Sequence, residues 1–419
     1  MNTTRICSSI CTCLWALSPL SCADSDTATD TDNTHDSDAD AGDETDADGG
    51  DDTESETGTD TEEGPSAAEK AVAAMKIGWN LGNTLDAFQG ETAWGNPLTT
   101  PELIQAVADL GFGAVRVPVT WTQHMGGAPD YTIDKTWMDR VEEVVGYVLD
   151  AGLYAIINLH HDGADNAEEV EWIILGDTTG TVEDRFAKVW SQIAERFKDH
   201  DDHLIFESMN EIHDGYNTPP DEYYDDVNNL NQIFVDIVRE SGSANAERLL
   251  LVPGYNTNIQ QTFIGFEKPT DTAEGKLILS VHYYDPWSFA GAADTQTWGA
   301  DSPGSDASGQ EDWVDRIFDG VRTRYIEKGL PVIVGEYGAV RQEGYDDYRR
   351  YYIEYVTKAV HDSGAVPMFW DNGIIGEGGE PFGLIDRTDN SVAFPEILDA
   401  MMRAVNDDYT ALDIALPQP

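Results

Sequence analysis

From residue 76 onward the chain alternates short apolar runs with longer amphipathic stretches. Eight runs have the length and residue types of buried strands. They are 76–81 (KIGWNL), 114–119 (AVRVPV), 154–160 (YAIINLH), 204–210 (LIFESMN), 248–253 (RLLLVP), 277–284 (LILSVHYY), 331–337 (PVIVGEY) and 366–371 (VPMFWD). The intervening stretches carry apolar residues at helical spacing, over 101–111, 137–151, 182–199, 224–241, 311–328, 346–362 and 393–405. Pro101 after Thr99 and Thr100 reads as a helix start, and Gly111 as its stop. Strand and helix in eightfold alternation predict parallel crossovers and an α/β fold, a closed (β/α)8 TIM barrel. The alternative is an open doubly wound sheet. Its dinucleotide cradle needs Gly-x-Gly-x-x-Gly, and GWNLGN (78–83) has the wrong spacing.

In such barrels the active site forms at the C-terminal strand ends. Those ends read NLGN, RVPVTW, NLHHD, MNEIHD, HYYDPW, GEYG and FWDNG; the fifth, VPGYN, is the exception. Two glutamates stand out, Glu211 ending the fourth run and Glu336 in the seventh. Two carboxyl groups flanking a glycosidic bond are what its hydrolysis requires, one protonated and one ionised. Arg116 and Tyr284 end runs near Glu336 and would keep it ionised, while His282 and His160 are expected beside Glu211. In FESMNEIHD (206–214), Glu207 should orient a basic or hydroxyl neighbour inside the strand, and Asp214 should be a solvated or capping acid. Taken singly, each of these acids is as well explained as a structural residue; their joint position on one rim favours chemistry.

Together these segments resemble glycoside hydrolase family 5, the cellulase-type members of the retaining (β/α)8 clan. The resemblance rests on GWNLGNTLD (78–86), RVPVTW (116–121), NLHHD (158–162), FESMNE (206–211), HYYDPW (282–287), VGEYG (334–338) and FWDNG (369–373), in family order through 70–406. It implies that Glu211 is acid/base and Glu336 nucleophile, and that Arg116, His160, His161, Asn210, His282, Tyr284 and Trp370 line the sugar subsite at the cleavage point. Ile212 departs from the pattern, since many members have Pro after the acid/base. Trp370 is the expected stacking platform. Trp121, Trp287, Trp94 and Trp298 are further candidate platforms or local packing, and Asn83 and Asp86 candidate hydroxyl binders.

Composition narrows the partners. The chain of 419 residues carries a formal net charge of −55, and 65–419 alone hold 61 acidic against 23 basic residues. So acidic a surface repels nucleic acid and anionic membranes and suits a neutral polymer. Residues 1–23 have the layout of a secretory leader, with cleavage after Ala23 or, alternatively, lipidation of Cys22; membrane insertion is not expected. Residues 24–64, acidic and without aromatic or large aliphatic side chains, read as a disordered linker. The catalytic domain is then 65–410, with a tail over 411–419, and the protein a secreted monomer, or a surface lipoprotein if Cys22 is lipidated. All four cysteines (7, 11, 13, 22) precede residue 24, so the barrel has no thiol chemistry of its own. No His-Glu-x-x-His and no Gly-x-Ser-x-Gly occurs, and neighbouring His160 and His161 should point to opposite faces, against shared coordination; no metal or cofactor is expected. The implied activity is a retaining endo-β-1,4-glucanase on a β-glucan polysaccharide. The alternatives are xyloglucanase or mixed-linkage glucanase, then xylanase or mannanase, and, in another class, a non-catalytic glycan-binding barrel.

Overall fold

The structure, a computed structural model, describes residues 64–163, 171–215, 218–376 and 379–417. The expected leader and linker lie outside these residues, apart from Gly64. Eight parallel strands close into a barrel in sequence order. They are β1 (Gly78–Asn80), β2 (Ala114–Val117), β3 (Tyr154–Ile157), β4 (Leu204–Glu207), β5 (Leu250–Asn258), β6 (Leu277–Tyr283), β7 (Val332–Tyr337) and β8 (Val366–Phe369). The surrounding helices in chain order are α1 (Ala67–Met75), α2 (Pro101–Asp109), α3 (Lys135–Asp150), α4 (Thr181–Phe197), α5 (Asp221–Glu240), α6 (Ile259–Gly265), α7 (Trp287–Ala290), α8 (Glu311–Arg324), α9 (Asp346–Ser363) and α10 (Pro395–Asn406). A two-stranded antiparallel pair, β9 (Ile385–Asp386) and β10 (Ser391–Val392), follows the barrel.

All eight expected strands are present, most of them shorter than the apolar runs. The exception is β5, which runs on to Asn258 past a register shift between Pro253 and Asn258. Gly254 permits this, because a Cβ there would come within 2.3 Å of the Thr262 hydroxyl on α6.

Helix α1 was not expected from the apolar pattern. Ser66 caps it, its hydroxyl accepting from Glu69 N–H while the Glu69 carboxylate accepts from Ser66 N–H. Its Ala68, Ala71, Val72 and Met75 join Ile156, Ile205, Leu251, Ile278 and Ile333 in an apolar cluster inside the barrel's N-terminal end. Two residues further along the strands, on the same face, the filling turns polar. Ala114 gives way to Arg116, Ile156 to Asn158, Ile205 to Glu207 and Ile278 to Ser280, all fully buried. The barrel is thus apolar at one end, ionic at its waist and open to chemistry at the other.

Strand β7 breaks this alternation. Ile333 faces inward, so a regular strand would turn Glu336 toward the helices. A register shift between Val281 and His282 instead sets Glu336 opposite His282 and re-aims it into the barrel.

Ile278→Ala, in the apolar floor, is expected to cost about 2–5 kcal/mol of stability. Leu412→Ala, at an 86% exposed position, should leave the denaturation midpoint unchanged; urea unfolding of both variants checks the contrast.

Candidate active site

Arg116 lies on the barrel axis side of β2, without solvent exposure. Its Nε donates to Glu207 Oε2 at 2.7 Å, Nη1 to Glu336 Oε1 at 2.6 Å and to Asn80 Oδ1 at 3.1 Å, and Nη2 to Asn210 Oδ1 at 2.8 Å. Burial opposes its charge, but Glu207 and Glu336 more than compensate and hold the guanidinium protonated beyond its ordinary range. Glu207 is bound on the other side by Ser280 Oγ (2.7 Å) and Asn158 Nδ2 (3.0 Å). The expectation that Glu207 orients a basic or hydroxyl neighbour therefore agrees with the contacts.

Glu336 is held between Arg116 and the Tyr284 hydroxyl, which donates to Oε2 at 3.1 Å. Burial and the adjacent carboxylates drive the Tyr284 phenol well above its usual range, so it stays a donor. Glu211 lies four residues past β4, and its Oε1 is 2.7 Å from His282 Nδ1. One oxygen of each carboxyl and a His282 nitrogen all lie within 4.8 Å of one another. For Glu211, burial pushes the carboxyl up, but the hydrogen bond and charge of His282 prevail and bring it down. For Glu336, burial and the charge of Glu211 outweigh His282 and Arg116, and the net direction is up. Two carboxyls this close titrate as a pair that shares protons.

His160 was expected beside Glu211; its Nε2 lies 4.0 Å from Glu336 Oε1, the carboxyl paired with Glu211. Asn158 Oδ1 accepts from Val119 N–H, which leaves Nδ2 facing His160 Nδ1 at 3.2 Å and the imidazole proton on Nε2. Burial, with His161, Arg116 and His282 nearby, keeps His160 neutral, well below the ordinary range. Its ring lies parallel to Trp370, centroids 5.8 Å apart. Trp370 is half-buried at the end of β8, over Gly82, where a Cβ would stand 2.8 Å from the indole. Asn210, its oxygen engaged by Arg116, has its amide N–H groups left to offer a hydroxyl oxygen.

The other tryptophans divide. Trp121 is fully buried and donates its indole N–H to the Asn158 carbonyl, so it packs and offers no platform. Trp298 is likewise buried, against Tyr351, Tyr352 and Tyr355. Trp287 stands edge-on to Tyr284 and is half-buried. Trp94 is 39% exposed and forms an aromatic corner with Phe88 and His161. Asp86 is fully buried, and its two oxygens accept from the N–H groups of Asn83 and Thr84. It builds the turn that presents half-buried Asn83, and is not itself an open hydroxyl binder. Asp214, exposed, is fixed by the Tyr255 hydroxyl at 3.0 Å.

His160 and His161 lie beyond the end of β3, so strand alternation no longer separates them. Asp86, His160 and His161 offer ligand atoms within 4.8 Å of one another. Asp86 is already engaged by backbone donors and His160 by Asn158, which leaves this donor set poorly suited to a cation. Ile212 is buried, and Gly163 makes room for it, since a Cβ there would approach its Cδ1 to 2.7 Å. Thr257, unnoticed in the sequence, reaches Glu211 from β5. Phe382, also unnoticed, packs on Tyr284 with centroids 5.8 Å apart; no spacing in the sequence marks either.

Comparison with known proteins gives this geometry its context. The Cellulase (glycosyl hydrolase family 5) model matches residues 79–375. The chain belongs to glycosyl hydrolase family 5. Endoglucanase A of Paenibacillus barcinonensis is 40% identical over 362 residues, 81% of this chain and 90% of that protein. A family 5 xyloglucanase from Paenibacillus pabuli superposes with a TM-score of 0.76 at 40% identity, covering 80% of this chain and 99% of that one. A broad-specificity endoglucanase from Bacteroides salanitronis gives 0.77 at 41%, covering 82% and 96%. The family 5 hydrolase therefore carries Glu211 and Glu336 on a barrel shared with enzymes that cleave β-glucans.

Glu207→Ala would leave Arg116 buried with one of its two counter-charges gone. The expected loss is about 3–5 kcal/mol, against about 1 kcal/mol for Ser280→Ala; equilibrium urea denaturation compares the two.

Proposed function

We propose that this family 5 hydrolase is a secreted endo-β-1,4-glucanase that cleaves internal bonds of cellulose or a related β-glucan with retention of configuration. The observation that carries the reading is the approach of Glu211 and Glu336 oxygens to within 4.8 Å. Retaining glycosidases space their carboxyl groups at about 5–5.5 Å, and inverting ones at about 6.5–9.5 Å to admit a water. Without a sugar in place, Glu211 is drawn down and Glu336 pushed up, so the pair's proton favours Glu336; the reactive microstate is the other one, with the proton on Glu211 beside the leaving oxygen. Glu336, its charge supported by Arg116 and Tyr284, attacks the anomeric carbon while Glu211 protonates the departing oxygen. A covalent glycosyl-enzyme results. Glu211, now ionised beside His282, takes a proton from water, which displaces Glu336 and releases the sugar. Asn210 would hold a hydroxyl of the reacting sugar, and Trp370 would stack against a sugar face.

The leader-like residues 1–23 support the secreted reading, with cleavage after Ala23 or, alternatively, a lipid at Cys22. Among the relatives, the xyloglucanase and the broad-specificity enzyme support a second reading in which branched xyloglucan or mixed-linkage glucan is the preferred polymer.

The test is hydrolysis of carboxymethylcellulose, xyloglucan and barley β-glucan by the wild type, Glu211→Ala and Glu336→Ala. The wild type should act on at least one and release the β-anomer first by NMR, with a bell-shaped pH profile. Glu211→Ala should lose about 10²–10⁴-fold in kcat, and Glu336→Ala at least as much. Full activity in either variant would overturn the assignment, and an α-anomer product the stereochemistry.

A further inference from the structure

The tail of β5 holds two consecutive residues in left-handed backbone, Asn256 at φ 53° and Thr257 at φ 48°. Asparagine tolerates this region, but a β-branched residue there is an outlier that persists only where its surroundings dictate it. Those surroundings are the loop that carries Glu211. Asn256 N–H donates to the Ile212 carbonyl at 3.0 Å and ties the β5 tail to the residue after Glu211. Thr257 is fully buried. Its hydroxyl donates to the Asn256 carbonyl at 2.6 Å and stands 3.5 Å from Glu211 Oε1. A hydroxyl has one proton to donate and here meets two acceptors. A neutral carboxyl competes poorly with the nearer carbonyl, whereas an ionised one is the stronger acceptor.

We propose that Thr257 is a positioning residue for Glu211, its hydroxyl turning from the Asn256 carbonyl to the carboxylate once Glu211 has given its proton to the leaving oxygen. The inference rests on the acid/base reading of Glu211. No covalent bond changes in this step; one hydrogen bond is exchanged for another. The remaining ionisable groups facing Glu211 are His282 and Tyr284 from β6 and its exit, Glu336 from β7, Arg116 from β2 and His213 from its own loop. His282 grips the carboxyl from one side, and Thr257 would complete the grip from the β5 side. The methyl group of Thr257, with its stiff side chain, fixes where that hydroxyl stands.

Thr257→Val keeps the branched shape and removes the hydroxyl; Thr257→Ser keeps the hydroxyl. On cello-oligosaccharides Thr257→Val should lose about tenfold in kcat with KM little changed. With one donor to the ionised form gone, the alkaline limb of its kcat/KM profile should move up by about half a pH unit. Thr257→Ser should restore both toward wild type. Wild-type kcat and an unmoved limb in Thr257→Val would overturn the proposal. So would equal losses in both variants accompanied by a lowered Tm and an unmoved limb, which is the signature of a merely structural role. Glu211→Ala run alongside separates the two readings. If it retains full activity, the acid/base assignment fails; if it is crippled while Thr257→Val is unaffected, only the role of Thr257 fails.

Discussion

The ion pair of Arg116 with Glu207 and Glu336 is the constraint on which the rest of this barrel depends. A guanidinium without solvent contact is costly unless its N–H groups are met and its charge is balanced. Here four hydrogen bonds converge on it from three strands or their exits, β1, β4 and β7. The planar fork of arginine can serve them together, which a lysine's single ammonium could not. Glu207, on the inner side, is saturated by its partners and stays structural. Glu336, on the outer side, keeps an edge toward the pocket and Tyr284. One cation therefore both closes the waist of the barrel and holds the Glu336 carboxylate at the edge of the pocket.

Around that hub the pocket sorts its charges by neighbour. His282 stands between the two glutamates and draws one down, while burial and mutual repulsion raise the other. Because the pair shares its protons, placing a sugar oxygen between the carboxyls can redistribute them without any large movement of the chain. The neutral His160 and the protonated Tyr284 add donors without adding charge, so the balance stays with Arg116 and the carboxyl pair.

Much of this was legible in the sequence. The eight apolar runs specified the barrel, and the polar character of their tips located the rim and both glutamates. Tyr284 reaches Glu336 from the neighbouring strand, whereas Arg116 meets Glu336, and His282 meets Glu211, from strands that are not adjacent in the closed barrel. What stayed hidden has physical causes. Helix α1 is nine mostly small residues whose amphipathic stripe is faint, although its Ser66 and Glu69 spell a capping box. Trp121 and Trp298 could not be told from sugar platforms, since burial of an indole depends on tertiary packing. His160 and His161 escaped the alternation rule because the strand stops before them. Pro253 and Gly254 resemble a strand terminator, which concealed the continuation of β5 and with it Thr257.

The irregularity in β7 has a consequence for how this fold can change. A strand's side chains have only two directions, so a single added or lost residue exchanges them. In β7 such a change would turn Glu336 away from the pocket while leaving the apolar floor and α1 intact. The protein could then keep its barrel and its polar, aromatic rim yet lose its paired carboxyls in one step. A glycan-binding barrel without catalysis is thus a near neighbour of this enzyme in sequence space, and the register of one strand is what separates them.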